Sequence, residues 1–140
     1  MPARGQTNGK YQGAKWITRD RRLALYIRDG LACAYCGSGM EDGTPLSLDH
    51  IIPHCNGGSN QSDNLITSCK KCNSSRGDRS IGDFAESVAD YLDHSVTPDQ
   101  ILIHINDCTM RSVNIAQARQ IIQRRGSYQA ALEAASRRQL

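Results

Sequence analysis

The chain has 140 residues, of which 39% are apolar, and its aromatic residues are one Trp, one Phe and five Tyr. That length fits one small domain, with or without an appendage, and so few large side chains call for a staple such as a bound metal. No run of 18 apolar residues occurs, which excludes a membrane-spanning helix. The opening stretch is basic but has no apolar segment of the secretory kind, so a cytoplasmic location is the expectation.

The formal net charge of +3 is unevenly spread. Residues 1–30 hold seven Lys/Arg against two Asp, residues 31–110 four against eleven acidic groups, and residues 111–140 six Arg against Glu133 alone. Basic ends around an acidic middle suit a polyanion that is gripped at its flanks and worked on at the centre. Ordinary solvated faces produce the same composition, so charge alone leaves both readings open.

In chain order, residues 1–17 read as a flexible basic arm carrying Arg4, Lys10 and Lys15. A helix is predicted from Thr18, a candidate N-cap, to Gly30. It has Leu23, Ala24 and Ile27 on one face and Arg19, Arg21, Arg22 and Arg28 on the other. LACAYCG, residues 31–37, reads as a tight knuckle in which Gly37 permits the turn after the second thiol. Leu46, Leu48 and His50 alternate along a strand over 46–52, a Gly-rich loop follows to Asp63, and Asn64 to Thr67 read as the returning strand. Cys69 to Arg76 reads as a second knuckle running into a helix that Gly77 closes.

Residues 80–140 are predicted to be a helical extension. Ser80 with Asp83 makes a variant capping box before a face of Ile81, Phe84, Val88, Tyr91 and Leu92. Thr97-Pro98-x-Gln100 starts the next helix, with Ile101, Leu102, Ile105 and Cys108 facing inward. Asn114 and Ser127 are candidate caps of two more, separated by Gly126. Arg119, Arg124, Arg125, Arg137 and Arg138 make this region either a clamp on a polyanion or, alternatively, a homodimer contact.

Two chemistries are concentrated in the middle. Cys33-x2-Cys36 and Cys69-x2-Cys72, 32 residues apart, match an all-cysteine Zn²⁺ site, which is closed by protein on every side and therefore structural. Cys55 and Cys108 stand outside this set. Asp49, His50, Asn64 and Asn73 offer oxygen and nitrogen instead of sulfur, hard or borderline ligands unlike the thiols.

LDHIIP, the Gly57-Gly58 turn, Asp63-Asn64-Leu65 and Cys69-x-x-Cys72-Asn73 running into Arg76-Gly77 together resemble the HNH endonuclease family. The likeness covers about residues 19–79 and implies an α+β fold: a ββα-metal core, taken here as residues 18–79, preceded by a basic helix. It implies a metal-dependent endonuclease that hydrolyses phosphodiester bonds in DNA. His50 would be the general base, Asp49 and Asn73 would bind a catalytic Mg²⁺ or Mn²⁺, and Asn64 would orient the His50 loop. Many members have a His where this chain has Asn73, and the change favours an all-oxygen site. Arg76 is expected to hold the scissile strand, with Lys70, Lys71, Arg19 and Arg22 as further DNA contacts. Free-standing members of this shape, common in phage and bacteria, serve homing, restriction or packaging, so phage packaging proteins are candidate partners. Two rivals remain at this stage: a catalytically silent zinc module that binds DNA, and a nuclease preferring RNA or structured DNA.

Overall fold

A computed structural model describes residues 16–137. The arm read at 1–17 therefore lies outside the described residues except for Trp16 and Ile17, as does Arg138. Among the described residues the fold is α+β, with two antiparallel strands and six helices. Helix α1 is Arg19–Arg28, strands β1 and β2 are Leu46–His50 and Leu65–Cys69, and α2 is Lys70–Arg76. Helices α3 to α6 are Ile81–Tyr91, Pro98–Met110, Ile115–Arg125 and Tyr128–Ser136.

Local chemistry explains most boundaries. The α4 start is a reciprocal box: Gln100 N–H donates to Thr97 Oγ1 at 3.1 Å and Thr97 N–H to Gln100 Oε1 at 2.9 Å. Asn114 and Ser127 accept from Gln117 N and Ala130 N and so cap α5 and α6. Ser80 caps α3 through Asp83 N. Thr18 does not cap α1; its hydroxyl donates to Asp20 Oδ1 at 2.6 Å, and Asp20 takes the Arg21 N–H instead.

The hairpin pairs Leu46 with Cys69 at one end and His50 with Leu65 at the other. Strand alternation sends Leu46 and Leu48 to one face, where Ile17, Leu25, Tyr26 and Leu65 complete a core. Ile66 points to the opposite face, and together with Cys69 and Cys72 at the strand end and the start of α2 it joins Cys33, Tyr35, Phe84, Val88, Ile101 and Ile105. The helices after residue 80 are thus part of the packing around the hairpin. Helices α3 and α4 complete the core beside the cysteines, while α5 and α6 close over Leu23 and Ala24 of α1 through Ala118, Ile121, Ala131 and Ala135. Tyr91, assigned by periodicity to the inner face of α3, is 65% exposed; it lies in the last turn, where its ring lies beside Lys71.

A buried polar joint ties α1 to β2. Asp29 accepts from Thr67 N at 2.9 Å and Thr67 Oγ1 at 2.8 Å, and Arg28 donates to Asp29 Oδ1 and to the carbonyls of Ser62 and Leu65. Both Arg28 and Asp29 are buried, and every charged atom of the pair has a partner, as burial of charge demands.

Candidate active site

The knuckle over 31–37 turns at Gly37, whose φ of +82° suits a residue without Cβ, and Ala34 N–H bonds Thr67 O at 2.9 Å to dock the knuckle on β2. The second knuckle is the start of α2, where Cys69 Sγ serves as the N-cap acceptor for Cys72 N at 3.3 Å. These turns bring the Sγ atoms of Cys33, Cys36, Cys69 and Cys72 within 4.8 Å of one another, with Cys36 and Cys69 at 3.8 Å. A Zn–S length of about 2.3 Å in a tetrahedron requires sulfurs about 3.8 Å apart, so the donor set fits Zn²⁺. The Cys72 thiol donates to Cys33 and holds that thiol down to about 5, while the same bond and burial push Cys72 up. Crowded sulfurs that share protons in this way are the arrangement a cation relieves.

The other end of β1 carries Asp49 and His50, both buried. Asp49 Oδ2 accepts from Tyr35 Oη at 2.6 Å and from Arg76 Nη1 at 2.7 Å; Oδ1 takes part in neither bond. Tyr35 lies between Cys33 and Cys36 in sequence and packs edge-on against Phe84, so the thiol knuckle itself delivers this donor. Burial, and then the Asp49 charge, push the Tyr35 hydroxyl well above the usual tyrosine range, which keeps it a neutral donor.

Arg76 is 1% exposed, and its guanidinium is used inside the protein. Nη1 bonds Asp49 and His50 O, Nη2 bonds Ile51 O at 2.6 Å, and Nε bonds Arg79 O at 2.8 Å. The residue expected at the scissile strand thus bonds the carboxylate and the carbonyls around the end of β1.

His50 has a different set of neighbours. Its Nε2 lies 2.8 Å from Asn60 Oδ1, and its ring packs against Trp16 at a tilt of 40° with centroids 4.9 Å apart. With an amide oxygen accepting, the hydrogen of a neutral imidazole is on Nε2 and the lone pair on Nδ1. Asn64 spans the loop after the strand: its Oδ1 accepts from Ile52 N at 2.8 Å and its Nδ2 donates to Ile52 O and Ser59 O. Gly58 is required in this loop because a Cβ there would overlap the Ile52 carbonyl. Asn73, on α2, directs Nδ2 to Ser47 Oγ at 2.9 Å and Leu48 O at 3.1 Å, so its amide lies against the same strand as Asp49.

The remaining cations are on the surface. Lys70 and Lys71 are exposed on α2, with Lys71 Nζ 3.0 Å from Tyr91 Oη. On α1, Arg22 lies over the Trp16 ring and bonds Tyr26 Oη, and Arg19 lies over Tyr128. Sequence reasoning missed Tyr35, Asn60 and Trp16. The first sits in plain view between two cysteines, but nothing in a linear pattern says that its hydroxyl reaches Asp49.

Residues 33–87 match the family model described as HNH endonuclease. The chain is 35% identical over 63 residues to a CRISPR-associated endonuclease Cas9 of Corynebacterium diphtheriae. It is 41% identical over 56 residues to a protein of the same name from Actinomyces naeslundii. These stretches are 44% and 39% of this chain but only 6% and 5% of those proteins. No solved structure matches the chain significantly.

Proposed function

We propose that the HNH endonuclease domain matched at residues 33–87 makes this chain a divalent-cation-dependent nuclease that hydrolyses phosphodiester bonds of DNA. The observation that carries the reading is Asp49: two buried donors hold Oδ2, Oδ1 is outside both bonds, and an imidazole follows on the same strand. Asp49 Oδ1 and the Asn73 amide oxygen are hard donors that fit Mg²⁺ or Mn²⁺ better than a thiophilic metal. Bound there, one divalent cation would offset the charge that grows on the phosphate and the leaving oxygen.

The side chains do the rest. His50 accepts a proton from the attacking water, and imidazole suits this because its ordinary pKa lies near neutral pH. Asn60 and Trp16 fix the ring, and Asn64 fixes the loop behind it. Asn73 uses its amide nitrogen on β1, which orients the amide oxygen. Arg76 neutralises part of the Asp49 charge and holds the strand end, a positioning role in place of a substrate contact. Arg19, Arg22, Lys70 and Lys71 supply the cations for the sugar–phosphate backbone.

Supercoiled plasmid with Mg²⁺ tests the reading. Wild-type protein nicks the plasmid, while His50→Ala binds it in a shift assay without nicking. If both proteins are inert in Mg²⁺ and Mn²⁺ yet bind, the chain is a zinc-dependent binding module. Faster turnover of RNA or branched DNA than of plasmid reassigns the substrate.

A further inference from the structure

We infer that Tyr35 is a positioning residue for the candidate cation site, through which the thiol knuckle controls the Asp49 carboxylate. The inference rests on Asp49 being a cation ligand.

A guanidinium facing a carboxylate tends to bond both oxygens at once, because the fork geometry matches. That arrangement at Asp49 would tie up Oδ1 and exclude a cation. Here the Arg76 fork is opened. Nη1 is shared between Asp49 Oδ2 and His50 O, and Nη2 is taken by Ile51 O. Tyr35 Oη lies 2.6 Å from the same Oδ2 and 3.4 Å from Arg76 Nη1, so it closes a three-cornered contact on one carboxylate oxygen. A neutral donor is the right group for this corner. It fixes the rotamer of Asp49 without adding a second positive charge that would repel the cation.

The placement of Tyr35 follows from the knuckle. Its backbone is fixed between Cys33 and Cys36, and Ala34 N–H is bonded to Thr67 O on β2. Its ring is fixed by Phe84, at 4.9 Å and 77°. The hydroxyl therefore has one place to go, and any loosening of the sulfur cluster releases it. The thiol site so holds the carboxylate at the distant end of β1 as well as the fold around itself.

Tyr35→Phe removes the hydroxyl and leaves the ring. Protein carrying one zinc per chain is titrated with Mn²⁺ and followed by electron paramagnetic resonance, so the readout does not depend on turnover. Tyr35→Phe should retain its zinc and bind Mn²⁺ about 10-fold more weakly or worse, the range for partners of a metal-binding carboxylate. Plasmid nicking by Tyr35→Phe should fall at low Mg²⁺ and recover as Mg²⁺ is raised. Wild-type Mn²⁺ affinity in Tyr35→Phe overturns the proposal. If Asp49→Ala binds Mn²⁺ as wild type does, the ligand reading itself fails; loss in Asp49→Ala with none in Tyr35→Phe removes only the role given to Tyr35. If Tyr35→Phe loses its zinc, wild-type protein with ¹³C-labelled tyrosine decides. Mg²⁺ should shift the Tyr35 ring resonance and leave that of Tyr128 in place, and an unmoved Tyr35 signal overturns the proposal.

Discussion

Arg76 Nη1 lies 2.7 Å from Asp49 Oδ2, with side chains 0% and 6% exposed, and this ion pair joins the last turn of α2 to the end of β1. Removing one member leaves the other charge buried. Arg76→Met should therefore cost about 3–5 kcal/mol, measured by urea unfolding of zinc-loaded protein. Asp49→Asn in the same background should restore part of that loss, and the double-mutant cycle reports the coupling. Arg76→Lys should recover little, since one ammonium cannot reach the carboxylate and the carbonyls of His50, Ile51 and Arg79 together.

Trp16 covers one side of His50. Trp16→Ala should lower kcat at least several-fold because the imidazole loses its wall, with a smaller rise in KM because Arg22, one of the four substrate cations, loses the ring beneath it. Trp16→Phe should keep most of the rate, and plasmid-nicking kinetics distinguish the two.

The sulfur cluster predicts one zinc per chain, measurable by elemental analysis of folded protein. Structural zinc sites contribute roughly 10–16 kcal/mol of apparent binding free energy in small peptides. Zinc chelation, followed by removal of the chelator and return of Mg²⁺, should accordingly leave the hairpin region unfolded and nicking abolished, although Asp49, His50 and Asn73 are chemically unaltered. Cys36→Ser should do the same more mildly.

Asp29 is a purely structural carboxylate, so Asp29→Ala should lose about 3 kcal/mol or more by leaving Arg28 and Thr67 without their acceptor. Zinc content and the ratio of kcat to KM in the surviving folded fraction should stay near wild type.

Each phosphate contact removed lowers the salt slope of binding by about 0.9. Arg19→Ala with Arg22→Ala should therefore flatten the slope by up to about two and weaken binding to all sequences alike. Filter binding of His50→Ala protein across a salt series checks this without cleavage.

Much of this was legible in the chain. The cysteine spacing announced the cluster, the turn residues announced the hairpin, and Thr97-Pro98-x-Gln100 gave the α4 start to the residue. The misses share a cause. From sequence, Arg28 falls on the polar face of α1 and Arg76 is expected at a substrate strand, because a linear pattern cannot show that a guanidinium has buried carboxylates and carbonyls to meet. Tyr91 read as core because helical periodicity marks a face and not whether anything covers its last turn. Tyr35, Asn60 and Trp16 act across contacts 10 to 34 residues long, which only the folded chain brings together.

A two-stranded ribbon is marginal in water by itself, and its alignment is easily lost. In this chain Cys69 sits opposite Leu46 at one end of the ribbon, and His50 sits opposite Leu65 at the other. A slip by a single residue would exchange the sides taken by Asp49 and His50 and pull Cys69 away from its three sulfur neighbours in the same motion. Zn²⁺ bound by the four sulfurs would therefore favour the aligned ribbon over the slipped one.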